Sequence, residues 1–238
     1  MSDDRGAGFA ESWRDLHPAF RRGLELAYQT LAAGGLPVGA VLTDNTGQIV
    51  AEGRNRAYDP PGGPDVLQGT PLAHAELNVL AAVRTDRDLA GCTLWSTHEP
   101  CSMCTEAASF TEVGAVRYLA PDPWAVADQP ARHPADWFTG PGEDVWVVCA
   151  NLLFLHAIAS RYGVTHGTVV GNLEHEPETA RLVVDLVTEG RTAPVLTRDR
   201  SLTDVLAARW DRIAPAAAAR ARRTGRQGGG QSRSGTPS

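Results

Sequence analysis

Residues 100–104, Pro-Cys-Ser-Met-Cys, set two thiols three positions apart at the start of a helical pattern. Positions i and i+3 share one face of a helix. The unpaired N–H groups and the positive dipole end of a helix start favour thiolate over thiol. Such a pair is a good zinc ligand set. His74, 27 residues before Cys101, lies in the opening turns of the preceding helical pattern. Glu76, two residues on, is too far round that helix to be taken as a fellow ligand, yet close enough to serve the same cavity. Three protein ligands leave a coordination position for water, which separates catalytic zinc sites from closed structural ones.

The flanking segments say what must hold these helices. Phe20, Leu24, Ala27, Tyr28 and Leu31 recur at helical spacing, and Gly34-Gly35 ends the pattern, so residues 18–33 are read as the first helix. "VGAVLT" (38–43) and "QIVAEG" (48–53) flank the turn cluster "DNTG" and form a hairpin. "TPLAHAELNVLAAV" offers Thr70 as N-cap and a proline at the first helical position, which starts the second helix near Pro71. "TLWST" (93–97) is a strand, Pro100 opens a helix to about Phe110, and "AVRYL" (115–119) is a further strand. The order α-β-β-α-β-α-β predicts a three-layer α/β/α fold around a mixed central sheet, with crossover helices.

Residues 1–124 hold this core. The stretch 125–144 is rich in Pro, Gly and Asp, and 145–162, 177–189 and 201–222 are helical in pattern, so 125–222 is a mostly helical C-terminal extension. Residues 223–238 carry no apolar packing group and are expected to be a disordered basic tail. The 238-residue chain has a net charge of −6. Residues 1–208 hold 27 acidic and 15 basic side chains, whereas 209–238 hold seven arginines and one acid. The use of arginine without lysine is read as coding bias in preference to phosphate recognition and carries no functional reading. The N-terminus is acidic and lacks the apolar run of a secretory signal, so a reducing cytoplasm is expected for the four cysteines. The most apolar stretch, "NLLFLHAIA" (151–159), is too short to span a bilayer, and no membrane partner is expected.

His-x-Glu followed by Pro-Cys-x-x-Cys is the signature of zinc nucleobase deaminases. The chain resembles the cytidine/deoxycytidylate deaminase superfamily. "LPVGAVL", "GRNR", "HAELNVLA", "TLWSTHEPCSMC" and "VRYLAPDP" follow in the order of the guanine deaminase and tRNA adenosine deaminase branch, over about residues 18–124. The resemblance implies a cytidine-deaminase-like fold, with His74, Cys101 and Cys104 as zinc ligands and Glu76 as general acid/base. It implies hydrolytic deamination: zinc activates water, and Glu76 takes the water proton, delivers it to the ring nitrogen and later protonates the departing amine so that ammonia leaves. Backbone N–H groups near Ala75 and Cys101 would help position water and substrate. Asn55 in "GRNR" matches the asparagine that bonds the substrate ring or sugar, although a turn residue is its ordinary reading. Pro37, Val38 and Gly39 are expected to wall the base pocket, or else to form a tight strand start.

His98 stands where the tRNA enzymes commonly carry leucine, and its role is left open between pocket and strand end. Glu99 is read as a loop or cap residue. Cys92 and Cys149 are read as core, and His133, His156, His166 and His175 fall outside ligand spacing. "GGLPVGA" lacks the Gly-Lys-Ser/Thr of a phosphate loop. The expected substrate is a small nucleobase, nucleoside or related heterocycle, with a guanine-like aminopurine favoured. An adenosine-to-inosine enzyme of tRNA is the alternative, disfavoured by the acidic body because phosphate binding calls for a basic surface. A silent zinc-stabilised interaction module is a third reading, opposed by the open ligand position and Glu76. The resemblance implies a homo-oligomer, a dimer first.

Overall fold

The hairpin, the two ligand-bearing helices and the crossover pattern assemble as one five-stranded sheet in a computed structural model that describes residues 3–63, 66–124, 136–190 and 200–225. A helix absent from the sequence reading, α1 (Asp3–Asp15), precedes α2 (Pro18–Ala32). Strands β1 (Gly39–Thr43) and β2 (Ile49–Arg54) form the antiparallel hairpin. Then follow α3 (Ala75–Ala81), β3 (Thr93–His98), α4 (Ser102–Phe110), β4 (Ala115–Ala120) and the two-residue β5 (Phe138–Thr139). The order across the sheet is β2-β1-β3-β4-β5, with β1 antiparallel to β3 and the pairs β3/β4 and β4/β5 parallel. The sheet is therefore mixed, as expected.

Side-chain alternation along β1 separates the layers, since successive residues face opposite sides. Val41 packs with Ala19 and Leu26 of α2. Ala40 and Leu42 pack with Ala75 and Val79 of α3 and Ala108 of α4. All of β1 is buried, as a central strand requires. Gly39 lets α2 cross closely, because a Cβ there would lie 2.1 Å from the Gly23 carbonyl oxygen.

One boundary needs correction. The second helix starts at Ala75, not near Pro71, and His74 is its N-cap. The Thr70 hydroxyl accepts from the Leu72 N–H at 3.3 Å and closes a turn instead of capping the helix. The Ala73 carbonyl accepts from the Arg56 N–H at 2.9 Å and from Asn78 Nδ2 at 3.4 Å, which ties the segment to the end of β2. Cys101 is likewise the N-cap of α4 rather than a residue inside its first turn.

The C-terminal helices are α5 (Asp144–Tyr162), α6 (Gly167–His175), α7 (Pro177–Glu189), α8 (Leu202–Ala207) and α9 (Trp210–Thr224). Helix α6 was not anticipated: its nine residues hold two glycines. The pattern read as one helix over 201–222 is broken before Trp210, which joins Phe9, Trp13 and Trp146 in an aromatic cluster. Arg223 and Thr224, expected in the tail, end α9, and Arg223 Nε pairs with Glu178 at 2.9 Å. The remaining tail residues from 226, and most of the Pro/Gly-rich stretch after Trp124, lie outside the described residues. By length and composition α5 could cross a membrane. Its residues Trp146 to Leu155 are nevertheless all buried, in a core shared with α2, β4, α7 and α9, and an all-round apolar helix is what such a position demands.

Arg220 of α9 fastens this layer. It is 3% exposed, grips Glu176 through Nε and Nη2 at 2.7 Å each, and bonds Asp144 through Nη1. Removing one partner of a buried ion pair strands the others without compensation and costs about 3–5 kcal/mol. Arg220→Ala should lower unfolding free energy by about that amount in urea titrations. A loss under about 1 kcal/mol would show that the network does not hold the helices.

Candidate zinc and catalytic site

The parallel pair β3/β4 ends where the N-termini of α3 and α4 meet, outside the carboxyl ends of the strands, a place where α/β sheets bind ligands. Two local features bring α3 there. Gly53 of β2 allows close approach, since a Cβ would sit 2.6 Å from the Ala75 carbonyl oxygen, and Asn78 Nδ2 donates to the Arg54 carbonyl at 2.8 Å. On the other side the Glu99 N–H donates to the Ala120 carbonyl at 2.8 Å, which extends the β3/β4 pairing to the residue before Pro100 and Cys101.

His74 Nδ1, Cys101 Sγ and Cys104 Sγ then stand 3.6 Å from one another on all three sides. The donor set, one imidazole and two thiols, is that of zinc sites, and three ligands leave the fourth position open. The titration behaviour supports the fit. The Cys101 thiol is pushed down to about 4, first by its hydrogen bond with Cys104 and then by His74. Cys104 is pushed up first by its hydrogen bond with Cys101 and then by burial. His74 is raised by its hydrogen bond with Cys101. A divalent ion favours the ionised form of both thiols.

Glu76 lies beside this set and is 3% exposed. Its Oε1 accepts from the Ser96 hydroxyl at 2.8 Å, and its Oε2 lies 3.6 Å from Cys104 Sγ. Burial raises its pKa from the ordinary carboxylate range, with Ser96 and His74 opposing. A carboxyl moved toward neutrality can both accept and donate a proton near pH 7.

A cavity of about 390 Å³ opens over these groups, lined by His74, Glu76 and Cys101 at one end. Asn55 and Val38 line it as the sequence suggested, whereas Pro37, Gly39 and Ala75 are not among its lining residues. Gly39 is turned to α2, and Ala75 packs under Gly53. The Asn55 Oδ1 accepts from the Ala57 N–H at 3.0 Å, so its amide N–H groups are what it can offer a ligand. The loop carrying it is tied by Arg54, whose Nη2 bonds Asp59 at 2.5 Å.

His98 proves to be a pocket residue. It is 3% exposed and packs against Phe154 at 5.2 Å. Burial pushes its pKa down to about 3, with Asn151 opposing, so the ring is neutral. Sequence reasoning missed Leu36, Tyr58, Asp122, Trp124 and Phe154, and gave Glu99 only a loop or cap role. "APDPW" marked where the core pattern ends but not the side chains it presents, and nothing in the apolar run of α5 singles out Phe154.

Elemental analysis of purified protein should find about one zinc per chain, and Cys101→Ala should hold far less. Undiminished zinc in the variant would contradict the ligand set.

The description of a cytidine and deoxycytidylate deaminase zinc-binding region matches residues 15–120. The chain is 35% identical over 121 residues to a tRNA-specific adenosine deaminase of Agrobacterium fabrum, covering 45% of this chain and 73% of that protein. It is 34% identical over 109 residues to the guanine deaminase of Bacillus subtilis, covering 44% and 64%. A solved structure from a study of tRNA:A34 deaminases at the wobble position is 30% identical, with a TM-score of 0.41, covering 50% of this chain and 94% of that one. Of the first curated relatives it matches, the chain spans about half the length or less. With the zinc-binding region and the relatives agreeing on the segment that carries His74, Glu76, Cys101 and Cys104, the chain belongs to the cytidine and deoxycytidylate deaminase superfamily.

Proposed function

We propose that the protein is a zinc-dependent hydrolase that deaminates a small amino-substituted heterocycle, a guanine-like aminopurine by preference, to the oxo product and ammonia. The observation that carries this reading is Glu76: a buried carboxylate, held by Ser96, beside three ligand atoms and facing the same cavity as Asn55. A silent zinc module has no need of such a carboxylate.

Zinc, when bound by His74, Cys101 and Cys104, supplies the Lewis acid that activates water. The chain's own groups do the rest. Asn55 offers its amide N–H groups to an acceptor on the ring and orients it. Ser96 holds Glu76 Oε1, which leaves Oε2, on the ligand side, to take the proton of the attacking water. Glu76 passes that proton to the ring nitrogen as the carbon–oxygen bond forms, then takes the remaining hydroxyl proton and delivers it to the exocyclic amine as the carbon–nitrogen bond breaks and the carbonyl forms. Phe154 and Trp124 help shield the cavity from bulk water.

The likeness to a tRNA-specific deaminase supports a second reading, deamination of adenosine in tRNA. The acidic body weighs against it, with 27 acidic and 15 basic side chains over residues 1–208. A homodimer is the assembly proposed.

Glu76→Gln should keep zinc and fold while ammonia release falls by about 10²–10⁴-fold, the usual contribution of a positioned acid/base. Activity within about tenfold of wild type would remove Glu76 from the role. Under the favoured reading kcat/KM varies little with salt. Inosine formation in tRNA with binding that weakens steeply as salt rises would exchange the two readings.

A further inference from the structure

We propose that Asp59 is a positioning residue: its buried carboxylate, gripped by the two arginines that flank Asn55, sets the direction in which the Asn55 amide faces the substrate. This rests on the deaminase reading above and names what holds its substrate contact in place.

Asn55 lies between Arg54 and Arg56 in the loop that follows β2. Both guanidinium groups turn to one carboxylate. Arg54 donates through Nη1 to Asp59 Oδ1 at 3.2 Å and through Nη2 to Oδ2 at 2.5 Å, and Arg56 Nη1 reaches Oδ2 at 3.4 Å. Arg54 Nη1 also donates to the Asn55 carbonyl at 3.2 Å. The Asp59 and Arg54 side chains are 7% and 13% exposed. A two-pronged carboxylate–guanidinium contact fixes orientation as well as distance. Asp59 does not line the cavity, whereas Asn55 and Tyr58 of the same loop do. It therefore acts through its neighbours and not on the substrate.

The backbone and the side chain of Asn55 are held by different means. Its N–H donates to the Val38 carbonyl at 2.9 Å, and its carbonyl accepts from the Thr30 hydroxyl at 3.1 Å. Neither bond depends on Asp59. The side-chain amide is aimed by the Ala57 N–H, which Oδ1 accepts at 3.0 Å. Ala57 sits inside the turn that Asp59 closes, where the Asp59 N–H donates to the Arg56 carbonyl at 3.1 Å and the carboxylate holds both arginines. Loosening that turn frees the amide to rotate. The zinc side keeps a separate hold, because Asn78 Nδ2 bonds the Arg54 and Ala73 carbonyls. A buried ion pair adds little net stability over well-packed apolar side chains. Beside the substrate loop it supplies orientation instead.

The test compares zinc-loaded wild type, Asp59→Asn, Asn55→Ala and the double variant, with zinc content and Tm checked, in steady-state ammonia release from guanine. Asp59→Asn should keep its zinc and raise KM by about tenfold, the worth of one hydrogen bond made in ground state and transition state alike. General damage to the fold would instead lower kcat by reducing the active fraction. In the Asn55→Ala background the same substitution should change KM by less than about threefold, since residues acting through one contact are not additive. If Asp59→Asn does not fold, Arg56→Gln leaves the Arg54 pair in place and should raise KM by about threefold or more. An unchanged KM in the folded variants, or an equal rise with and without Asn55, would overturn the inference. No ammonia from guanine with wild type would count against the guanine preference alone. Amide exchange read by NMR then decides: the Ala57 N–H should exchange about tenfold or more faster in Asp59→Asn, and an unchanged rate would overturn the inference.

Discussion

Two thiols and an imidazole held 3.6 Å apart are an unfavourable neighbourhood on their own. One thiol ionises easily, down to about 4, and by doing so suppresses ionisation of the other. A divalent cation resolves the conflict, because both thiolates and the neutral imidazole then face a positive charge. Much of the surrounding architecture exists to keep these atoms together. Gly53 lets α3 approach β2, Asn78 and Arg56 hold the segment before His74, and the Glu99–Ala120 bond fixes the approach to Cys101. The sheet order, with β1 between β2 and β3, brings both helix starts to one end.

Around that centre the walls differ in kind. The core contributes polar groups with defined partners, such as Glu76 on Ser96 and Asn55 on the Ala57 N–H. The C-terminal helices contribute an apolar side through Phe154 of α5, which also packs against His98. Since α5 shares its core with α2 and β4, the extension is packed onto the deaminase layers and not merely appended. His98, which lines the cavity, is backed by the buried Asn151 of α5, so its placement depends on both parts of the chain.

The legible parts of the sequence were those where one local rule decides the outcome. Short β-prone runs beside turn clusters and helical apolar patterns located α2, β1, β2, β3, β4, α5 and α7 to within a residue or two. The spacing of His74, Cys101 and Cys104 announced the metal set because ligation demands those residue types. Long-range competition was not legible. The helix start near Pro71 looked sound locally, but the Ala73 carbonyl is held by Arg56 and Asn78. Helix α1 was missed because Phe9 and Trp13 make sense only once Trp146 and Trp210 are beside them. The pocket residues Tyr58, Asp122, Trp124 and Phe154 come from three separate segments and acquire meaning only where the fold joins them.

The central claim is that His74, Cys101 and Cys104 hold zinc with its fourth position open to solvent. X-ray absorption at the zinc edge of the purified protein reads this directly. The account predicts two sulfur scatterers at about 2.3 Å, one imidazole nitrogen at about 2.0–2.1 Å and one further light scatterer from solvent. In Glu76→Gln that set should be unchanged. A shell of four protein ligands, or fewer than two sulfurs, would contradict it.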